Sequence, residues 1–143
     1  MKGRTTSSAE ETMQAASEFA STLRGGDIVL LHGDLGAGKT TFVKGLAQGL
    51  NINDDITSPT FSLMNVYDVE QANIQKLVHI DTYRLESEKD LTEIGIEDYL
   101  GNSNTVIVIE WPEKIGKLIK NKETKNVSIE HVTKSKRSII IKK

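Results

Sequence analysis

Residues 33–40 read GDLGAGKT and fit the pattern G-x-x-x-x-G-K-[ST]. An apolar run, DIVLLHG (27–33), precedes them, and KTTFVKGLAQGL (39–50) follows. Buried strand, glycine turn and amphipathic helix is the context this pattern requires. Glycines allow successive backbone N–H groups to wrap around phosphate oxygens, where a Cβ would collide. Lys39 is spaced to reach β- and γ-phosphates as a point charge. Thr40 is spaced to offer its hydroxyl to Mg²⁺, and the start of the helix adds its positive dipole end. A chance match in a chain of this length is on the order of one in a hundred or rarer, with glycine near 7% of average composition. A nucleotide-phosphate site is therefore expected, with Gly33, Leu35, Gly36, Ala37, Gly38, Lys39, Thr40 and Thr41 forming the cradle.

The rest of the chain supports an α/β reading. SSAEETMQAASEFASTLRGG (7–26) has helical spacing of Met13, Ala16, Ala20 and Leu23. Ser7 with Glu10, or Ser8 with Glu11, makes a capping box at its start, and Gly25-Gly26 marks its stop. FSLMNVYDV (61–69) and KLVHIDTYRL (76–85) read as strands that pair as a hairpin. SEKDLTEIGIEDYLG (87–101) reads as one or two short helices, NTVIVIEW (104–111) as a strand, and PEKIGKLIK (112–120) as a short helix with Pro112 in its first turn. NVSIEHV (126–132) and RSIIIKK (137–143) read as a closing hairpin.

Composition narrows the class. The chain has 143 residues, 37% hydrophobic and 27% charged, as expected of a single globular domain over 1–143. No apolar run is long enough to span a bilayer, and the N-terminal stretch lacks the apolar core of a secretory signal. There is no cysteine, which excludes disulfides and thiolate metal sites and suits a cytoplasmic protein. The net charge of −2 hides an asymmetry. Residues 1–111 carry 8 basic and 17 acidic side chains, whereas residues 112–143 carry 10 and 3. A basic tail on an acidic body suits RNA, an acidic partner or a solvated lysine face.

A P-loop enzyme needs an acid at a strand end to hold Mg²⁺. Two candidates exist: Asp81 after LVHI and Glu110 after VIVI. One would complete the metal shell, and the other would orient the attacking water or bind the metal more directly. Which does which stays open, with Glu110 the preferred group for the metal–water arrangement. Thr57, Ser58 and Thr60 offer hydroxyls in the loop after the P-loop helix, where nucleotide state is often sensed. His79 lies two residues before Asp81, on the same strand face, and is expected to be a packed, hydrogen-bonded histidine. Arg84 has two readings, a stabiliser of phosphate charge or a surface ion pair with Glu86 or Glu88, and the ion pair is the favoured expectation. Tyr67, Tyr83 and Tyr99 are expected to be packing residues.

GTPase signals fail. The stretch DTYR puts Arg84 where D-x-x-G needs glycine, and NKET puts Thr124 where the guanine reader N-K-x-D needs an acid. ATP is thus favoured. A small-molecule kinase would need an acceptor pocket and a lid for which little chain remains, and a nucleotide-gated adaptor would not need two strand-end acids.

GDLGAGKTTF, SPTF, HIDTYRL, EIGIEDYL and IEWPE, in this order and at these spacings, resemble the TsaE family, formerly YjeE. The resemblance runs from about Thr12 to Glu113 and implies a P-loop α/β domain with a mixed sheet and a terminal hairpin. It implies an ATPase that needs ATP and Mg²⁺, is weak alone, and depends on TsaB and TsaD proteins. Those partners form N6-threonylcarbamoyladenosine beside the tRNA anticodon; the chain itself does not transfer the threonylcarbamoyl group, and its contact with tRNA is expected to be indirect. Carried onto this sequence, Lys39 and Thr40 bind phosphate and Mg²⁺, Asp81 matches the Walker-B-like acid, and Glu110 matches an acid of metal binding or catalysis. Trp111 accompanies Glu110 near the nucleotide, Thr60 falls in a switch-like loop, and Ala9 lies near the base.

Overall fold

The computed structural model describes residues 2–34, 36–59, 62–71 and 73–142. Its centre is β2 (Ile28–His32), the strand before the glycine turn. Ile28, Val29, Leu30 and Leu31 are all buried, because both faces of this strand are covered. β5 (Thr105–Glu110) runs parallel on one side of it and β6 (Lys125–His131) parallel on the other. β4 (Lys76–Asp81) continues the parallel set beyond β5, and β3 (Met64–Asp68) closes that edge as the antiparallel arm of a hairpin. On the far side β7 (Arg137–Lys142) pairs antiparallel with β6, and β1 (Lys2–Thr6) pairs antiparallel with β7. The order is β1-β7-β6-β2-β5-β4-β3.

Strand alternation sorts the core into two layers. Val29, Leu31, Leu77, Val106, Val108, Val127 and Ile129 pack under α1 (Ala9–Ala20) and α2 (Lys39–Gly49). Ile28, Leu30, Val78, Ile80, Ile107 and Ile109 face the opposite layer. That layer comprises α3 (Glu88–Glu93), 3₁₀ turns at Ile96–Asp98 and Pro112–Ile115, and α4 (Gly116–Ile119). The expected three-layer α/β architecture, mixed sheet and terminal hairpin are all present. The hairpin joins the central sheet directly through β6.

Two boundaries differ from expectation. β1 is an unforeseen strand. Its five residues, KGRTT, lack any apolar alternation, and it forms through backbone pairing to β7 and through Thr6, whose hydroxyl meets that of Thr12 at 2.7 Å. Helix α1 ends at Ala20, before Gly25-Gly26. The hydroxyls of Ser21 and Thr22 donate to the carbonyls of Glu18 and Phe19, at 2.6 and 2.7 Å, and cap the last turn early. Its start follows the second capping frame: Ser8 Oγ accepts from Glu11 N at 3.1 Å, and Glu11 reaches back to the Ser7 N–H.

Helices α1 and α2 touch through glycine. A Cβ on Gly45 would lie 2.4 Å from the Met13 carbonyl and 2.7 Å from the Ala16 Cβ. Gly49, one turn on, meets Ser17 and Ala20 in the same way. Gly45→Val is therefore expected to force the helices apart and cost about 1–3 kcal/mol, measured as a lower urea midpoint with an unchanged slope.

Candidate nucleotide site

Parallel strands deliver their carboxyl ends to one edge of the sheet, and ligand sites of α/β folds form there. β2 ends at His32 and passes into the glycine turn, while β4 and β5 end together with Asp81 paired directly to Glu110. α2 starts at Lys39 with Gly38 as its N-cap in the left-handed region, φ +106°, where a side chain would be strained. No side chain caps this helix end, so its first N–H groups lack intrahelical partners and are suited to an anion.

A cavity of about 500 Å³ lies over this edge. Gly36, Gly38, Lys39, Thr40 and Thr41 form one wall, and Asp81, Glu110 and Trp111 form the other. Ser58, Tyr83 and Arg84 complete the rim. The structure thus brings the P-loop, both strand-end acids and the tryptophan into one space. Gly33 and Ala37 contribute through the backbone: the Gly33 carbonyl accepts from Lys39 Nζ at 2.6 Å, and the Ala37 carbonyl accepts from Arg137 Nε at 3.0 Å. Ala9 lines a smaller cavity of about 260 Å³, with Ser7, Lys134 and Arg137, which shares Gly38 and Thr41 with the first. Leu35 and Thr60 lie outside the described residues.

Lys39 is the electrostatic centre. Its side chain is buried, with the ammonium 3.3 Å from the centroid of the Trp111 ring. Burial pushes its pKa below the ordinary lysine value, against the pull of Glu110, Asp81, Glu113 and Asp34. The two acids are held differently. Asp81 Oδ2 accepts from Ser58 Oγ at 3.1 Å and Oδ1 accepts from the Tyr83 N–H at 2.9 Å. Glu110 is only 3% exposed, with His79 Nε2 2.5 Å from its Oε2. Of the two described loop hydroxyls, Ser58 is the one seen on Asp81; the Thr57 backbone meets Asn65 and Tyr67.

The strand VIVIE ends in a bend that the sequence does not announce. Trp111 has φ +61° and ψ +51°, a left-handed conformation costly for a large side chain. Thr82, fully buried, holds it there: its hydroxyl is 2.5 Å from the Trp111 carbonyl and 3.0 Å from that of Glu110. Its N–H also reaches the Glu110 carbonyl. The bend turns the indole over Lys39 and against Tyr83, whose ring centroid is 4.9 Å away. One expectation is corrected here. Tyr83 is 46% exposed and forms part of the cavity rim, so it is no packing residue, because it follows the strand end instead of lying within the sheet. Arg84, exposed on the same turn, also lines the cavity.

The donor set suits Mg²⁺ better than a metal that needs a protein cage. Among the described residues no cluster of three His, Cys, Asp or Glu side chains could hold a metal ion. Mg²⁺ at phosphate sites takes one or two hard protein oxygens and fills its octahedron with phosphate and water. Thr40, Asp81 and Glu110 around one cavity match that need. Among the described residues no helix is long and apolar enough to cross a membrane.

Comparison with known proteins shows the family and the fold. The model of the family described as "Threonylcarbamoyl adenosine biosynthesis protein TsaE" matches residues 6–139. Proteins named tRNA threonylcarbamoyladenosine biosynthesis protein TsaE from Treponema pallidum and Rickettsia prowazekii are 44% and 43% identical to it. The matches span 76% and 80% of this chain and 76% and 77% of theirs. The crystal structure of Bacillus subtilis YdiB superposes with a TM-score of 0.77 at 30% identity, covering 96% of this chain and 82% of that one. The glycine turn, both strand-end acids and Trp111 all fall inside the matched stretch, and the chain belongs to the TsaE family.

Proposed function

We propose that this chain binds and hydrolyses ATP as a subunit of the machinery that forms N6-threonylcarbamoyladenosine in tRNA. The observation that carries the reading is the meeting of Lys39 and Thr40 with Asp81 and Glu110 in one cavity. The names of its relatives support the tRNA step. The family resemblance supports a TsaB–TsaD pair as the partner on which hydrolysis acts, with tRNA contacted through that pair.

Lys39 leaves the Gly33 carbonyl and the Trp111 face to meet the β- and γ-phosphates. The N–H groups of the glycine turn and of the first turn of α2 receive the phosphate oxygens. Thr40, Asp81 and Glu110 are the oxygen donors that would hold Mg²⁺, and bound Mg²⁺ would neutralise phosphate charge as a Lewis acid. Glu110 orients water toward the γ-phosphate, and Asp81 supports the metal side. Positioning and charge neutralisation supply most of the rate. The base lies toward Ala9, at the cavity beyond Gly38 and Thr41.

Trp111 is the chain's only tryptophan and sits on Lys39, so its emission is expected to change when Lys39 moves to phosphate. Titration with Mg²⁺–ATP should give a saturable signal, and Mg²⁺–GTP a much weaker one. A flat response to both, with calorimetry showing no heat of binding, would refute a nucleotide site.

A further inference from the structure

The geometry points to His79 as a positioning residue for Glu110: Nε2–H donates to Oε2, sets the rotation of the carboxylate, and leaves Oε1 for the cavity. This rests on the reading of that cavity as an ATP site. His79 is on β4, opposite Val108 of β5, which places it diagonal to Glu110 on the same sheet face. Its ring is fully buried, and the nitrogen–oxygen distance is 2.5 Å. A carboxylate can only accept, so the ring nitrogen is the donor.

The other ring nitrogen sharpens the case. Nδ1 is buried and finds no hydrogen-bond partner among the described residues. A buried polar atom without a partner is destabilising. Leucine would fill the space under α1 and α2 without that cost. Packing therefore does not account for an imidazole at this position, whereas the bond to Glu110 does. Without that bond, the carboxylate is free to turn toward the Lys39 ammonium. Such a turn would remove the oxygen that orients water, while the N–H groups of the glycine turn still hold the phosphates.

The test compares His79→Leu with His79→Gln, whose amide N–H can replace Nε2–H. Single-turnover ATP cleavage is followed with Mg²⁺ and the TsaB–TsaD pair present, and ATP affinity is measured separately by calorimetry. His79→Leu should slow cleavage roughly 10–100-fold, the usual range for residues that orient ligating groups, with ATP affinity little changed. His79→Gln should recover most of the rate. In a Glu110→Gln background, His79→Leu should add no further loss. Wild-type cleavage in His79→Leu would overturn the inference, and so would a His79→Gln protein that folds and binds ATP yet stays as slow as the leucine variant. If His79→Leu does not fold, the rate of His79→Gln decides alone. A dead Glu110→Gln beside a normal His79→Leu would overturn the inference only, whereas normal cleavage in Glu110→Gln would overturn the site reading with it.

Discussion

Lys39→Ala is expected to abolish ATP hydrolysis, with a loss of about 10²–10³-fold or more, the range for removing one preorganised donor from developing charge. Among the described residues, Lys39 is the only basic residue in the cavity lining that is buried, and it lies close enough to feel both acids. Its ammonium rests on the Gly33 carbonyl and the Trp111 ring, at the edge of the cavity proposed to take phosphate. Alanine removes that charge from beside Asp81 and Glu110, which stand side by side across β4 and β5 and repel ATP. ATP affinity should fall along with the rate. Lys39→Arg is expected to rescue little, because a planar guanidinium does not replace a compact ammonium in a closed site. Phosphate release at saturating Mg²⁺–ATP, with partners present, is the measurement. Wild-type turnover in Lys39→Ala would sink the P-loop assignment.

Glu110→Gln should separate binding from chemistry. The amide keeps the size of the side chain and an oxygen for His79, but removes the negative charge. Repulsion of the phosphates weakens, so ATP affinity should hold or rise slightly. The single-turnover rate should fall about 10²–10⁴-fold, as for loss of a positioned acid–base group. Calorimetry reads the first quantity and rapid-quench cleavage the second. Collapse of affinity with normal cleavage would reverse the assigned role and make Glu110 a binding group.

Much of the site was legible because chemistry dictates residue type. Only glycine tolerates the backbone at Gly38, only a lysine at that spacing reaches phosphate, and an acid at the end of a buried strand has little other reason to be there. The central strands were legible because burial on both faces turns them into continuous apolar runs. What escaped was set by tertiary contacts. β1 is a polar edge strand, and no periodicity marks a segment stabilised by backbone pairing to β7. The left-handed turn at Trp111 depends on Thr82, a residue 29 positions away whose single hydroxyl reaches two carbonyls. That Tyr83 flanks the indole follows from this turn and from no pattern in HIDTYRL. His79 was legible as a buried, bonded histidine, but its partner was not, since diagonal pairing requires the β4–β5 register.

The Trp111 turn also bears on function. A strained residue of this kind costs about 1–3 kcal/mol and persists where the surroundings over-determine it. Here the contacts from the Thr82 hydroxyl and N–H supply that constraint, and the result is an aromatic ring placed against Lys39.

The central claim is that this pocket cleaves ATP and does so in the service of partner proteins. Phosphate release from ATP, measured with Mg²⁺ in the absence and presence of the TsaB–TsaD pair, tests it most directly. Slow release from the chain alone, a clear rise when the pair is added, and loss of both with EDTA or Lys39→Ala is the predicted result. No release above the Lys39→Ala background, with or without the pair, would contradict it.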